Sequence, residues 1–302
     1  MSQLVDRIAA REAGIVLYGL TPPKLATPPE RLEAIAAQQQ ARLASLPVDG
    51  AVVYDIQDEG ERVAAPRPFP FLPTVDPRAW AAQLPVPAIV YRSVRRDTPA
   101  KLGAWLAAME ATPSGLAVLV GAPTRGAGGL PLAEAYALAR SRAPHLTLGG
   151  IAIAERHARG LDEHQRMLAK TAQGCRFFIT QAVYDVTSTK SLLSDYALAL
   201  QARGEPPVPV ILTFSPCGSE KTLAFMQWLG IAFPRWLENE LRHAADPLAT
   251  SLTLCERVCA EAWEYARAKR IPLGVNVESV SIRKAEIDAS VELVARLRRI
   301  VS

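Results

Sequence analysis

The segment GCRFFITQAVYD, residues 174–185, contains the strand that decides the fold. Residues 177–179 are Phe-Phe-Ile, a consecutive run of the aromatic and β-branched residues that favour strands. A strand that is apolar at consecutive positions is buried on both faces, as in parallel sheets. The run stops at Thr180 and Gln181, although a core strand needs no primary amide where it ends. The segment therefore predicts a parallel strand that presents a polar group at its carboxyl end.

Similar apolar runs occur along the whole chain and alternate with helical patterns. The predicted strands are residues 15–20, 50–56, 88–94, 115–121, 146–154, 175–181, 207–214 and 271–279. The predicted helices are a short N-terminal one, then 29–46, 98–111, 130–142, 161–174, 187–203, three patterns ending near 268, and 284–301. Eight such units in 302 residues predict an α/β fold, a (β/α)8 TIM barrel, as one domain spanning residues 1–302 with extra helices after strand seven.

Composition excludes several classes of protein. The net charge of +4 and the absence of any run of five like charges argue against a nucleic-acid partner. Apolar runs are too short to cross a membrane, and the N-terminus lacks an apolar signal core, so we expect a cytoplasmic protein with no membrane partner. The four cysteines form no C-x-x-C pair and are expected to be buried free thiols. The sequence leaves the oligomeric state open, a homo-oligomer included.

Polar residues at the carboxyl ends of the predicted strands form the candidate site, because TIM-barrel active sites lie at that rim. They are Tyr54, Asp55, Gln57, Ser93, Glu155, His157, Thr180, Gln181, Ser215 and Glu278. The four histidines include no H-x-x-x-H pair, so no metal site is expected. Glu155 and His157 together suit acid–base chemistry, or else a surface salt bridge.

Two further features each have two interpretations. The loop GAPTRGAGG, residues 121–129, is either a phosphate cradle using Gly121 and Arg125 or a flexible loop. It lacks both the G-x-G-x-x-G spacing and the lysine of a P-loop. The Gln181 amide either caps backbone groups at the barrel mouth or binds a heterocycle that displays N–H and C=O groups, such as a pterin, flavin or nucleobase.

The segment GCRFFITQAVYD resembles the G-x-x-F-x-I-T-Q-x-x-[FY]-D segment of methylenetetrahydrofolate reductases. VLYGLTPPK (16–24), DEGER (58–62), IAIAERH (151–157) and PVILTFSP (209–216) resemble other segments of that family in the same order. The resemblance covers roughly residues 15–300, and its most specific part is the I-T-Q motif. It implies a TIM barrel that reduces 5,10-methylenetetrahydrofolate to 5-methyltetrahydrofolate with electrons from a nicotinamide cofactor, usually through bound FAD.

The resemblance also implies roles for individual residues. It assigns the pterin ring to Gln181, and the flavin phosphates to His157, Lys170 and, in place of the family's aspartate, Glu163. The predicted substrate-binding residues are Gln181, Thr180, Tyr54, Gln57 and Ser93. The predicted cofactor-binding residues are Gly121, Arg125, Glu155, His157, Glu163 and Lys170.

The departures from the family pattern concern its acid and its flavin contacts. The first-strand glutamate credited with protonating the folate is replaced by Gly19. The segments that contact the flavin read Val-Gly-Ala at 120–122 and Tyr-Arg-Ser at 91–93, and the family's tyrosine before Glu155 is Ile153. Each charge-assisted hydrogen bond that is lost removes about 1.5–3 kcal/mol of the free energy of flavin binding. We therefore expect weak or no FAD binding and NADH or NADPH as co-substrate, as in the flavin-independent branch that the chain resembles.

Three acids at the rim are candidates for the missing proton donor: Asp55 first, then Glu278, then Glu59. The alternative is that these acids pair with Arg92 or Arg62. The sequence thus leaves three hypotheses for function. They are a flavin-independent reductase of methylenetetrahydrofolate, an FAD-containing reductase of the same type, and a non-catalytic folate-binding protein.

Overall fold

The strands of this computed structural model, which describes residues 3–58, 60, 65–112, 114–121 and 129–302, form a closed barrel. In chain order they are β1 (Val16–Leu20), β2 (Gly50–Val53), β3 (Ala88–Ser93), β4 (Leu116–Val120), β5 (Thr147–Ala152), β6 (Cys175–Ala182), β7 (Val210–Phe214) and β8 (Leu273–Val277). Each strand pairs in parallel with the next, and β8 closes the barrel on β1. The predicted (β/α)8 barrel is confirmed.

Helices surround the barrel. They are α1 (Gln3–Ala9), α2 (Pro29–Ser45), α3 (Pro77–Ala81), α4 (Pro99–Glu110), α5 (Leu132–Arg142), α6 (Ala154–Ala158), α7 (Glu163–Ala172), α8 (Val186–Arg203), α9 (Glu220–Trp228), α10 (Arg235–His243), α11 (Pro247–Ala268) and α12 (Lys284–Ile300). Thr98 caps α4 by accepting a hydrogen bond from the Lys101 N–H, as its position before Pro99 predicts. The predicted free thiols are also confirmed, since all four cysteines are buried and unpaired.

Two short helices were not predicted from the sequence, and some predicted strand ends differ from those in the structure. Helices α3 and α6 have five residues each, too few to show a helical period. Strand two was predicted to reach residue 56 but ends at Val53. It ends there because the next residue but one, Asp55, binds the Ser93 N–H with its side chain rather than its backbone. Strand seven begins at Val210 and not at residue 207.

Helix α1 closes the amino end of the barrel. Its buried residues Leu4 and Ile8 join the cluster of strand residues that fills the barrel interior. The other members of that cluster are Ile15, Leu17, Val52, Ile89, Tyr91, Leu116, Val118, Phe177, Ile179 and Ile211. The amino end is therefore plugged by apolar side chains, which leaves the carboxyl end as the mouth.

Within the described residues, no helix combines the length and the apolar character that crossing a membrane requires.

Replacing Leu4 by alanine should destabilise the protein by about 2–5 kcal/mol, because Leu4 is fully buried and its loss leaves a cavity under the barrel. Leu198→Ala on α8 is the matched control: this leucine is 58% exposed, and we expect a change within about 0.5 kcal/mol. Urea unfolding of the three proteins measures both effects. Equal stabilities for Leu4→Ala and the wild type would contradict the role given to α1.

Candidate functional site

Residues of β1, β6 and β8 converge with Tyr54, which follows β2, at the centre of the barrel mouth. Successive residues of a strand face opposite sides, so the interior positions Leu17 and Ile179 place Gly19 and Gln181 on the inner face too. Tyr54 packs against the same interior cluster. On β8, Val275 and Val277 belong to the outer layer, which directs Asn276 inward. The mouth is therefore lined by polar groups above an apolar interior.

The space beside Gly19 is occupied by two other residues. A Cβ atom added to Gly19 would lie 2.8 Å from Cβ of Glu278 and 2.9 Å from Cε2 of Tyr54. Real Cβ atoms do not approach other atoms so closely, so a side chain at this position would force Glu278 or Tyr54 to shift. The volume next to β1 at the mouth is thus filled from β8 and β2, and the carboxyl group there belongs to Glu278.

A hydrogen-bond network holds Tyr54 in this arrangement. The Asn276 amide donates to the Tyr54 hydroxyl at 2.8 Å and to Oγ1 of Thr213 at 3.3 Å. The ring of Tyr91 packs edge-on against Tyr54, with centroids 5.0 Å apart. Burial, followed by the negative charge of Glu278, raises the pKa of Tyr54 well above its usual value. Tyr54 therefore remains a neutral hydroxyl that has its own proton to donate.

Glu278 is a carboxyl group at the mouth whose pKa is raised by its buried environment. Burial raises its pKa to about 7, and interaction with the Tyr54 hydroxyl opposes the shift only in part. At neutral pH the group is therefore present in both its protonated and its charged forms. A carboxylic acid with a pKa near the working pH is suited to donate and accept protons.

Asp55 has structural partners for both of its oxygens. Oδ2 accepts the Ser93 N–H at 2.7 Å, and Oδ1 accepts the Gln57 amide at 2.8 Å. Burial raises the pKa of Asp55, and the hydrogen bond from Ser93 counteracts this. Asp55, Gln57 and Ser93 thus fasten the end of β2 to the end of β3. Glu59, the third candidate acid, lies outside the described residues.

Gln181 and Glu155 both bind the segment between α9 and α10. The Gln181 amide donates to the Leu229 carbonyl at 2.7 Å, and the Glu155 carboxylate accepts the Ala232 N–H at 3.3 Å. Burial raises the pKa of Glu155. The neighbouring Thr180 instead accepts the Thr213 N–H at 3.0 Å, which bridges the irregular pairing of β6 with β7. Residues 229–232 are therefore held over the mouth by two of the predicted site residues.

Glu163 and Lys170 lie in the layer between the barrel and its helices. The fully buried Glu163 accepts the Ile153 N–H at 3.2 Å, and Lys170 donates to the Ile151 carbonyl at 2.5 Å. Burial lowers the pKa of Lys170, and Glu163, 4.0 Å away, opposes the shift. Both residues join α7 to the end of β5, where a flavin phosphate would have to displace these contacts.

His157 belongs to a cluster on the helices α6, α7 and α8. It shares a hydrogen bond of 3.0 Å with Asp195, and its ring packs edge-on against His164 at 5.2 Å. One ligand atom from each of the three residues lies within 4.8 Å of the others. The histidines are seven positions apart and on separate helices, so their proximity could not be found by searching for paired metal ligands in one helix.

The glycine-rich loop is described only at its ends, and Arg125 lies outside the described residues. A Cβ on Gly121 would make ordinary contact with Leu132 at 3.5 Å, so that position does not require glycine. Gly129 does require it, because its φ is +114° and an added Cβ would lie 1.8 Å from the Arg95 carbonyl oxygen. The end of the loop is thus packed closely against the turn after β3.

Sequence reasoning missed Asn276 and Thr213, which organise the centre of the mouth. Each is a polar residue inside a strand that is otherwise apolar, at a position fully or almost fully buried. Buried polar side chains need hydrogen-bond partners, so an asparagine in the run Leu-Gly-Val-Asn-Val was a usable signal. The hydrogen bond from Asn276 to Tyr54 could be identified only from the closed barrel.

Replacing Gly19 by alanine should destabilise the protein by about 1–3 kcal/mol, because the new methyl group overlaps Glu278 and Tyr54. The control is Gly103→Ala inside α4, where nothing lies within 4 Å of the added Cβ. That change should stabilise the protein by about 0.5–1 kcal/mol, since alanine favours helix. Thermal unfolding of both variants tests the pair, and a neutral Gly19→Ala would refute the crowding described at the mouth.

The raised pKa of Glu278 also predicts how stability depends on pH. The carboxyl group must stay protonated in the folded state up to about pH 7, against an ordinary value of 4.5. Its contribution to stability is therefore complete below that ordinary value and is lost as the pH rises through about 7. Between pH 5 and pH 9 the wild type should lose roughly 1–3 kcal/mol relative to Glu278→Gln. Urea unfolding at both pH values measures this difference. An equal change of stability with pH in the wild type and in Glu278→Gln would rule out the raised pKa of Glu278.

Comparison with known proteins places the chain in a family. Neither a protein-family model nor a curated protein matches it. Two glycoside hydrolase structures, a GH113 β-1,4-mannanase (TM-score 0.52, 12% identity, 95% of this chain and 99% of that one) and xylanase XynB of Paenibacillus barcinonensis (TM-score 0.50, 9% identity, 93% and 88%), share the fold alone.

A third solved structure is much more similar. It is a protein from Clostridium thermocellum that binds two copies of 5-methyl-5,6,7,8-tetrahydrofolic acid. Its TM-score is 0.86 and its sequence identity 40%, over 99% of this chain and 100% of that one. Identity at this level over the full length of both chains shows that this chain belongs to the family of the Clostridium thermocellum protein.

Proposed function

We propose that this chain binds a reduced folate at the barrel mouth and reduces 5,10-methylenetetrahydrofolate to 5-methyltetrahydrofolate. The observation that carries the proposal is the Glu278 carboxyl group. It occupies the space beside Gly19 and has a pKa raised to about 7. The chain therefore has a proton donor at the place where the family it resembles in sequence has its first-strand glutamate.

Folate binding is supported by the relative and by Gln181. The relative from Clostridium thermocellum binds 5-methyltetrahydrofolic acid, which is also the product of the proposed reaction. The Gln181 amide uses one N–H for the Leu229 carbonyl. A second N–H and the amide oxygen are the complement of a pterin ring, which displays N–H and C=O groups side by side.

The first chemical step needs an acid. Opening the five-membered ring of the substrate breaks the bond between its methylene carbon and N10, and that bond's electron pair goes to N10. Glu278 supplies the proton that N10 takes up, and the carbon becomes an iminium ion on N5. The dry position of Glu278 beside Tyr54 keeps the acid protonated near neutral pH, which makes this transfer favourable.

The second step needs a hydride. A reduced nicotinamide dinucleotide, NADH or NADPH, supplies it from C4 to the iminium carbon, which gives the methyl group and the oxidised nicotinamide. Glu278 then regains its proton from water, so one proton and one hydride are consumed in each turnover. In the proposed reaction the hydride passes directly. This is supported by Glu163 and Lys170, which the resemblance assigns to flavin phosphates and which bind backbone groups at the end of β5.

A non-catalytic folate-binding protein is the second candidate. It is favoured by the relative from Clostridium thermocellum, which binds two copies of 5-methyl-5,6,7,8-tetrahydrofolic acid. The FAD-containing reductase is the third, and the visible absorbance of a flavin in the purified protein would support it. The first two candidates differ in a single measurable property: oxidation of NADH or NADPH that depends on methylenetetrahydrofolate.

The proposal predicts different defects for two variants. Glu278→Gln should lower kcat about 100- to 10,000-fold, the usual contribution of a general acid, and change folate affinity little. Gln181→Ala should weaken folate binding at least tenfold, because it removes the amide that holds the pterin. In the wild type, kcat/KM should fall as the pH rises through about 7 and Glu278 loses its proton. Stopped-flow nicotinamide oxidation and calorimetric titration with 5-methyltetrahydrofolate measure these quantities.

Asp55→Asn is the control for the identity of the acid, and it should retain more activity than Glu278→Gln. Activity lost in Asp55→Asn and retained in Glu278→Gln would make Asp55 the proton donor in place of Glu278. A wild-type protein that binds 5-methyltetrahydrofolate without oxidising either nicotinamide would establish the non-catalytic candidate. Undiminished folate binding by Gln181→Ala would place the folate elsewhere.

A further inference from the structure

The loop between β2 and α3 inserts one arginine among aromatic rings. The Arg67 guanidinium carbon lies 5.5 Å from the ring centroid of Phe71, 5.4 Å from that of Phe225 and 5.3 Å from that of Trp228. Phe225 and Trp228, both on α9, are stacked on each other at 6.1 Å. We call Arg67 with these three rings the arginine cage.

Among the described residues, no carboxylate pairs with the Arg67 guanidinium. The Arg67 nitrogens Nε and Nη1 are buried, and neither has a hydrogen-bond partner in the part of the chain that the structure describes. A guanidinium has five N–H donors, and a buried charge is normally paired. Cation–π contacts offset part of the cost of desolvation but satisfy no donor. Two nitrogens of the half-buried Arg67 are therefore left without an acceptor by the described residues, and an anionic group could supply one.

The position of the cage connects it to the mouth. The Trp228 indole N–H donates to the Ala65 carbonyl at 2.9 Å, which ties the loop to α9. The next residue, Leu229, is the one whose carbonyl accepts the Gln181 amide. The loop after β2 and helix α9 after β7 both start from the carboxyl ends of their strands. The cage thus adjoins Gln181 at the same rim of the barrel.

We propose that Arg67 binds the glutamate carboxylate of the folate whose pterin is held by Gln181. This inference rests on the proposed function and adds to it the recognition of the ligand's anionic end. A reduced folate carries an aromatic benzoyl group and then carboxylates at the end opposite the pterin. The rings of Phe71, Phe225 and Trp228 suit the aromatic part, and the planar guanidinium suits a carboxylate, which it binds through two parallel hydrogen bonds.

Binding in this way requires the loop to move. Nε and Nη1 are covered by the protein itself, so a carboxylate reaches them only when part of the cage opens. Residues 65–76 contact α9 through the cage, the Trp228 hydrogen bond and the Phe69 ring, which lies under Lys221 at 4.6 Å and edge-on to Phe225 at 5.1 Å. The ligand carboxylate replaces the ring contacts of Arg67 with charge-assisted hydrogen bonds.

The test compares two ligands that differ only in the part assigned to Arg67. They are 5-methyltetrahydrofolate and 6-methyltetrahydropterin, which has the pterin ring but no benzoylglutamate. Arg67→Met keeps a long apolar side chain against the rings and removes the charge. It should weaken 5-methyltetrahydrofolate binding about 10- to 100-fold and leave 6-methyltetrahydropterin binding within about twofold. Lys221→Met is the matched control, since it removes an exposed cation from the same contact of loop and helix; it should change neither affinity.

Each other outcome has a definite meaning. Weakening of both ligands by Arg67→Met, or equal effects of Lys221→Met, would show that Arg67 only fixes the loop, and would overturn the proposal. Weaker NADH binding by Arg67→Met with unchanged folate binding would assign the cage to a phosphate and would also overturn it. Gln181→Ala tests the folate site separately from the role of Arg67. It weakens both pterin-containing ligands if the folate site is correct. If it weakens neither, the folate site itself is wrong.

Discussion

The absence of a side chain at residue 19 is the constraint on which the barrel mouth depends. Strand β1 contributes only backbone there, and Tyr54 from β2 and Glu278 from β8 fill the space to within 3 Å of where a Cβ would lie. Their close packing removes water from the Glu278 carboxyl, which is why its pKa rises to about 7. Asn276 fixes Tyr54 in place, and so the acidity of one carboxyl group is determined by residues of three strands. The missing side chain on β1 and the carboxyl group just after β8 therefore form one structural arrangement.

The mouth is enclosed by two segments that start from distant strands. Residues 229–232 are held by Gln181 and Glu155, and the loop after β2 is held on α9 by the arginine cage. Because Trp228 and Leu229 are consecutive, the two attachments share the end of one helix. A ligand that engages Gln181 and Arg67 together would contact both segments at once. Substrate binding and movement of the loop after β2 are thereby expected to be coupled.

Much of the fold could be predicted from local sequence signals, and much of the site could not. Consecutive apolar residues identified all eight strands, and Thr98-Pro99 identified a helix start. Alignment to a motif, by contrast, fixes a position along the chain and not the face on which the side chain lies. The resemblance predicts that Glu163 and Lys170 contact flavin phosphates, and in the structure both bind backbone groups near the end of β5. Arg67 and Asn276 depend on partners more than 150 residues away in the chain, such as Trp228 and Tyr54, which no local pattern indicates.

The most direct test of the central claim is a crystal structure of the protein with 5-methyltetrahydrofolate bound. We expect the pterin within hydrogen-bond distance of the Gln181 amide and N10 facing the Glu278 carboxyl beside Gly19. We also expect a folate carboxylate on the Arg67 guanidinium. A folate bound away from the mouth would contradict the proposed site. In that case the Gln181 amide would still donate to the Leu229 carbonyl, and Glu278 would contact only Tyr54.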